Sequence, residues 1–196
     1  MPRIDHESRR RRIVAESLKL FATRGFPKVN FGMIAQACGV SRTMLYLYFK
    51  DKRAIFNEAI DLVTGKVRAT YEECAAMAAG AEAKLRRLTM TVFATLFDNR
   101  DYICVIADVL TNYRRKGAVP VERVRAHTEG LVRALRRLVA EGVEGGELRP
   151  SVDPDRAAAV LYSQFEAVAL RMAVTGNADL AASVDAMDEI IRALRP

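Results

Sequence analysis

Residues 30–49 read NFGMIAQACGVSRTMLYLYF, a pattern that predicts two short helices joined by a tight turn. Asn30 and Ser41 stand where these helices would begin, and each side chain can accept a hydrogen bond from a first-turn amide. Gly39 suits the turn because glycine adopts a positive φ at no steric cost. Small apolar residues on the first helix permit close packing on the second. The segment therefore predicts a helix-turn-helix.

The second of these helices has two unlike faces at the α-helical period. Leu45 and Phe49 point the same way and are expected to enter the core. The other residues suit contact with a nucleic acid, and they are Arg42, Thr43, Met44, Tyr46, Leu47 and Tyr48. A DNA major groove admits a helix and presents donors, acceptors and thymine methyl groups. We therefore expect the charged, hydroxyl and aliphatic side chains to meet base edges, and the tyrosine hydroxyls to hold phosphates.

Positive charge is concentrated at the same end of the chain. The 196 residues include 31 Lys and Arg against 24 Asp and Glu, a formal net charge of +7. Residues 1–50 contain ten of the bases and three of the acids, which accounts for the whole excess. A polyanion bound there would gain from released counterions, although a solvated basic helix face is the alternative. The other residues expected at the DNA are Arg9, Arg10, Arg12, Asn30 and Ser41, with the arginines positioning without selecting sequence.

Residues from about Ile13 to Phe56 resemble the DNA-binding domain of the TetR family of bacterial transcriptional regulators. The resemblance rests on a string of residues at matching spacing: Leu20-Phe21-Ala22, Arg24-Gly25-Phe26, Ile34-Ala35, Ala37, Gly39-Val40-Ser41, Leu45-Tyr46, Tyr48-Phe49, Lys52 and Phe56. It implies that Tyr46, Tyr48 and Lys52 contact the phosphate backbone. It also implies that Arg42, Thr43 and Leu47 face the bases.

Helical periodicity continues along the chain, and no segment alternates convincingly as a strand. The sequence predicts an all-α fold of about nine helices. An N-terminal three-helix bundle with the helix-turn-helix would occupy residues 1–50. A larger helical domain for ligand binding and dimerisation would occupy residues 51–196. Asp51 can cap a long fourth helix that joins the two.

The helix predicted over about 155–175 is apolar on two faces, and such a helix must bury both. We expect one face, with the last helix, to meet a second subunit about a two-fold axis; complete burial within one chain is the alternative. The residues assigned to this interface are Leu161, Phe165, Val168, Met172, Val184, Met187 and Ile191. The resemblance also implies dimerisation through the last two long helices. Two DNA-binding units would then meet successive major grooves, about 34–36 Å apart.

The resemblance further implies a small-molecule pocket between the fourth and seventh helices. The candidate lining residues are Met77, Met90, Phe93, Phe97, Tyr102, Cys104, Tyr113 and His127. Such side chains at helical spacing are more often ordinary core, and His127 lies on an apolar stripe. We expect a largely apolar effector that shifts the fourth helix and lowers DNA affinity, which requires tighter binding to the non-DNA state.

Other classes of function have little support in the sequence. Two His residues and three Cys without paired spacing argue against a metal site, and phosphate-loop, dinucleotide and nucleophile-elbow motifs do not occur. We therefore expect no catalytic residue and no cofactor. We also expect no membrane contact, since no stretch approaches the roughly 18 apolar residues of a spanning helix. The sequence predicts a homodimeric, ligand-responsive repressor of a near-palindromic operator, cytoplasmic and associated with the nucleoid. A small all-α enzyme or a membrane-surface-binding protein is the alternative.

Overall fold

The computed structural model of the protein describes residues 6–113 and 121–196, with side chains at 6–107 and 123–196. This part of the chain forms nine helices and contains no strand, in agreement with the expected all-α class. The helices are α1 His6–Arg24, α2 Phe31–Cys38, α3 Arg42–Tyr48, α4 Lys52–Ala76, α5 Ala81–Asp98, α6 Arg100–Tyr113, α7 Val121–Glu144, α8 Pro154–Thr175 and α9 Leu180–Arg192.

The N-terminal unit, α1 to α3, is called the head below. Asn30, Ser41 and Asp51 each accept a hydrogen bond from the amide three residues later, at 3.0, 3.1 and 2.8 Å. These are the caps that the sequence predicts for α2, α3 and α4. Gly39 ends α2 with φ at 66°, the left-handed conformation that favours glycine.

The head packs around one hydrophobic cluster. Its largest fully buried side chains include Ile13, Leu18, Phe21, Ile34 and Leu45. The cluster continues into the first half of α4 as far as Ile60, and it includes Val105 of α6. The domain boundary predicted between residues 50 and 51 therefore stays a prediction, because one hydrophobic cluster extends across it from the head into α4.

Helices α5 to α9, called the body, pack around a second cluster formed mainly by α5, α7, α8 and α9. Leu85 and Leu88 of α5 and Leu135 of α7 belong to this core, and all three are fully buried. Phe93 and Phe165 meet edge to face with ring centroids 4.9 Å apart, a favoured arrangement of aromatic rings. The body core therefore holds α8 from one side along most of its length.

The inward face of α8 corrects the expected dimer interface. Leu161, Phe165, Val168, Met172, Met187 and Ile191 are all buried within the single chain, and Val184 is half-buried. A side chain already covered by its own subunit cannot cover another one. The outward stripe of α8 carries Val160, Ala167, Leu170 and Val174 instead.

The length and composition of α8 also correct the expectation that no stretch approaches the apolar length of a membrane-spanning helix. The helix is long and apolar enough to cross a membrane by those two criteria. The helix mixes alanines with Val, Leu, Phe and Met, and it contains no continuous run of large apolar residues. One face of α8 belongs to the body core.

Candidate nucleic-acid interface

Helix α3 is anchored by one apolar side chain and presents most of its others to solvent. Leu45 is fully buried, whereas Leu47 is 75% exposed and Tyr46 is 53% exposed. Arg42 and Thr43 are exposed at the first turn of the helix. An exposed leucine beside an exposed tyrosine, on a helix of seven residues, is the surface that a major groove would cover.

The tyrosines of α3 are positioned by ring contacts with neighbouring helices. The ring of Tyr46 lies 4.7 Å from that of Phe31 on α2, and the ring of Tyr48 lies 5.4 Å from that of His6 on α1. Met44 and Tyr48 are half-buried. The phenol of Tyr46 is thus held at the edge of the exposed face, where its hydroxyl can meet a phosphate.

Arg10 is engaged inside the protein, which conflicts with its expected phosphate contact. Its guanidinium donates to the two carboxylate oxygens of Glu58 at 2.8 and 3.0 Å, and to the carbonyl oxygen of Tyr48 at 3.3 Å. It also stacks on the ring of Phe49 with 4.6 Å to the centroid. The hydrogen bond from Arg10 lowers the pKa of Glu58. Arg10 therefore connects α1, the end of α3 and α4.

Lys52 is also engaged within the head, and this corrects its expected role at a phosphate. Its ammonium donates to the carbonyl oxygens of Phe26, Pro27 and Val29 at 2.8, 3.1 and 2.9 Å. An ammonium group has three N–H donors, so none is left over in this structure. Burial lowers the pKa of Lys52, and the charge of Arg53 lowers it further. Lys52 stabilises the turn between α1 and α2.

Other basic residues of the head remain at its surface. Arg12 is exposed and Arg9 is half-buried, so the structure leaves both in place as predicted phosphate contacts. Lys50 and Arg53 are exposed at the junction of α3 and α4, and sequence reasoning did not single them out. The sequence signal that could have identified them is their position on either side of Asp51, the residue that caps α4. Asn30 and Ser41 are committed to capping through their side-chain oxygens.

The eight candidate effector residues do not converge on one site. Phe97, Tyr102 and Cys104 line a cleft between α1 and the junction of α5 and α6. Met90 and Phe93 border a small groove between α5 and α9. The Met77 backbone caps the end of α4. The side chain of Tyr113 lies outside the described residues.

His127 lies in a polar contact between α4 and α7. Its Nε2 is 3.0 Å from the hydroxyl of Thr64 and 3.1 Å from a carboxylate oxygen of Asp61. Arg123 donates to the same carboxylate. Burial raises the pKa of Asp61, but hydrogen bonds from Arg123 and His127 outweigh it and the pKa falls below its usual value. The Nε2 of His127 is thus engaged by its own chain, and this contact joins the body to α4.

Within residues 6–107 and 123–196, no three His, Cys, Asp or Glu side chains come together as a set of metal ligands. All three cysteines are free thiols. Burial raises the pKa of Cys38 and of Cys74, which disfavours the reactive thiolate form.

Comparison with known proteins gives matches along most of the chain. Residues 13–59 match "Bacterial regulatory proteins, tetR family", and residues 81–187 match "Tetracyclin repressor-like, C-terminal domain". The uncharacterized regulator YerO of Bacillus subtilis is 29% identical over 100 residues, which are 50% of this chain and 35% of YerO. The fatty acid metabolism regulator protein of the same species is 22% identical over 79% of this chain and 78% of its own. The crystal structure of PfmR, a TetR family transcriptional regulator from Thermus thermophilus, has a TM-score of 0.75 at 24% identity, covering 94% of this chain and 100% of that one.

A basic head with an outward-facing α3, carried on a larger helical body, defines the class of helix-turn-helix regulators of transcription that bind DNA. Both parts of this architecture match the same family in sequence. The chain belongs to the TetR family of bacterial regulatory proteins.

Proposed function

We propose that the protein is a homodimeric repressor that binds a near-palindromic operator and is released by a small-molecule effector. The observation that carries the proposal is the exposed face of α3, where Leu47 and Tyr46 stand in solvent beside Arg42 and Thr43. The net charge of +7 resides in residues 1–50, so the same unit attracts the phosphate backbone. The relatives named above are bacterial regulators of transcription, which supports a cytoplasmic, nucleoid-bound protein without catalytic chemistry or a cofactor.

The two kinds of contact expected at α3 can be separated by substitution. Tyr46→Phe removes one hydroxyl and should weaken binding to all duplexes by about threefold to tenfold, since a hydrogen bond contributes about 0.5–1.5 kcal/mol. Arg42→Ala should instead cost about 1–3 kcal/mol on the preferred duplex and relax the preference among sequences. The measurement is fluorescence anisotropy with duplexes selected from a random pool.

Arg68→Ala is the matched control for the loss of one positive charge. Arg68 is exposed in the second half of α4, away from the head, so this variant should bind DNA as the wild type does. Equal DNA affinity and equal sequence preference in Arg42→Ala and Arg68→Ala would refute the assignment of α3 as the recognition helix.

The dimer is supported by the outward stripe of α8. Val160, Leu170 and Val174 are 50%, 59% and 72% exposed, and Ala167 lies between them. The neighbouring α9 exposes small side chains, Ala182 among them. Apolar surface of this kind on two adjacent helices is suited to a four-helix contact with a second copy.

Leu170→Glu should convert the dimer to a monomer in sedimentation velocity, because it places a charge in the middle of the stripe. Leu62→Glu is the control, since Leu62 is an exposed leucine on α4. A dimeric Leu170→Glu protein would place the interface elsewhere. Substitution of buried Phe165 would not serve, because it would disrupt the body core instead.

The proposed response to an effector passes through α4, which both halves of the protein contact. At its start α4 meets α1 through Glu58 and Arg10. One turn later it meets α7 through Asp61 and His127. A ligand that moves α4 relative to the body would change the separation of the two heads in the dimer. DNA affinity would fall to the extent that the ligand prefers the altered state.

A further inference from the structure

A cleft of about 830 Å³ lies between the head and the body. This volume is within the range of about 300–1,000 Å³ that is usual for small-molecule sites. Helix α1 forms one wall, and the end of α5 with the first turns of α6 forms the other. The apolar lining is Ala15, Leu18, Ala22, Phe97, Val105 and Ala173.

The position of the cleft gives it access to both halves of the protein. Leu18 and Val105, which line it, are also buried members of the hydrophobic cluster of the head. Helix α1 carries Arg10, which connects the head to α4. A molecule in the cleft would touch α1 and α6 together, so its binding would depend on how the head sits on the body.

The charged side chains at the rim of the cleft differ in whether they have a hydrogen-bond or ion-pair partner. Lys19 donates to Glu16 at 2.8 Å, and Arg100 donates to the carbonyl oxygen of Gly176. Within the side chains that the structure describes, Asp98 and Asp101 have no ion pair or hydrogen-bond partner. Lys19 is thus neutralised by Glu16, whereas Arg100 keeps its charge and offsets one of the two carboxylates. The lining residues together with Glu16 therefore leave the cleft with one net negative charge to meet a ligand.

Aromatic rings add to the preference for positive charge. Phe97 and Tyr102 are half-buried and line the cleft beside the two carboxylates. The face of an aromatic ring attracts a cation within about 6 Å of its centroid. The apolar walls would supply most of the affinity through burial, and the carboxylates with the rings would select the sign of the charge.

We propose that this cleft binds an organic cation with an apolar, aromatic body, and that this cation is the effector class. The inference rests on the proposed function for its consequence, the release of DNA. The binding site itself is defined by the cleft, its two aromatic rings and its two unpaired carboxylates.

Tetraphenylphosphonium is the probe, and tetraphenylborate is its matched counterpart of nearly the same size and shape with opposite charge. Isothermal titration calorimetry with the full chain should show one tetraphenylphosphonium ion per chain. Ala22→Trp fills the cleft and should raise its Kd about tenfold or more, equivalent to about 1.4 kcal/mol. Ala69→Trp, at an exposed position of α4, should leave the Kd unchanged.

The charge preference is tested by the double variant Asp98→Asn with Asp101→Asn. Its Kd for tetraphenylphosphonium should rise about fivefold, the upper range for exposed charge pairs, with no loss of tetraphenylborate binding. Asp185→Asn, an exposed carboxylate of α9, is the control and should change neither Kd. Binding of tetraphenylphosphonium that is equal in wild type, Ala22→Trp and a second filling variant, Ala173→Leu, would overturn the site. So would absence of binding to the wild type.

The same proteins are assayed for DNA binding, which separates the two proposals. Tetraphenylphosphonium should weaken duplex binding by the wild type about fivefold or more and leave Ala22→Trp unaffected. A wild type that binds duplexes but shows no cation effect would overturn the effector assignment alone. A wild type that binds the cation in the cleft but no duplex would overturn the proposed function and leave the site.

Discussion

Replacement of Lys52 by Met distinguishes a structural lysine from a phosphate contact. Methionine keeps most of the apolar stem and removes the ammonium, whose nitrogen lies 4.8 Å from the centroid of the Phe26 ring. The carbonyl oxygens of Phe26, Pro27 and Val29 then lose their shared donor. The turn that connects α1 to α2 loses the group that closes it.

The expected cost follows from these three bonds and from the burial of the ammonium. Bonds to a charged donor contribute about 1.5–3 kcal/mol each before correction. Burial opposes this gain, as the lowered pKa of Lys52 indicates, and water can reach the exposed carbonyl of Pro27 in the variant. We therefore expect a net loss of about 2 kcal/mol, which lowers the Tm by about 4–8 °C for a protein of this size.

Thermal unfolding followed by circular dichroism measures this loss, with Lys50→Met as the control. Lys50 is exposed at the neighbouring position, and its replacement should change stability by less than about 0.5 kcal/mol. DNA affinity is measured for both variants over a range of salt concentrations. If Lys52→Met melts with the wild type while its salt dependence falls by about one ion per subunit, then Lys52 contacts a phosphate and the structural argument is wrong.

Two further predictions concern ion pairs between distant parts of the chain. Arg10→Gln and Glu58→Gln, measured singly and together by thermal unfolding, should show a coupling of about 0.5–1.5 kcal/mol; additive effects would mean that the pair contributes nothing to the contact between α1 and α4. Glu82 accepts from Arg195 at 2.8 Å, and hydrogen bonds from Arg195 and Arg86 lower its pKa to about 2. Glu82→Gln should therefore lower the Tm by about 2–4 °C near neutral pH, and the gap should narrow as pH falls from about 4.5 toward about 2, because the stabilising carboxylate becomes protonated there. A gap that stays constant down to about pH 2 would contradict this assignment.

The sequence was sufficient for features that depend on neighbouring residues. The caps at Asn30, Ser41 and Asp51 each act over three residues, so local chemistry determines them. The same is true of Gly39 in the turn and of Leu45 pointing inward while Leu47 points outward. The inward and outward sides of α3 were therefore predictable at Leu45 and Leu47.

Contacts between distant residues were not predictable in this way. Lys52 and Arg10 both have the composition of phosphate contacts, yet their partners lie 23–26 and 38–48 residues away. Whether a cation faces solvent or a carbonyl depends on how helices pack, which sequence spacing does not contain. The effector candidates failed to converge for the same reason, since each was chosen from the periodicity of its own helix.

Helix α8 shows a second kind of difficulty. Its periodicity identifies apolar stripes, and any of them could face inward by that criterion alone. Packing against α7 buries the stripe with the largest side chains, Phe165 and Leu161 among them. The outward stripe of Val160, Leu170 and Val174 is smaller and was not chosen. Large side chains favour the core because they remove more apolar area from water.

The insertion of Val105 into the cluster around Phe21 and Ile34 limits how this protein can exchange parts with its relatives. A chimaera joined at residue 50 would combine the head of one protein with α4 and the body of another. The α6 of the second protein would then pack against a head cluster that it does not match. A functional graft should instead carry the chain through Ile60 and adapt the α6 residue that it meets. Recombination among such regulators would then favour breakpoints within α4, beyond the contact between Glu58 and Arg10 of α1, over breakpoints at the loop before α4.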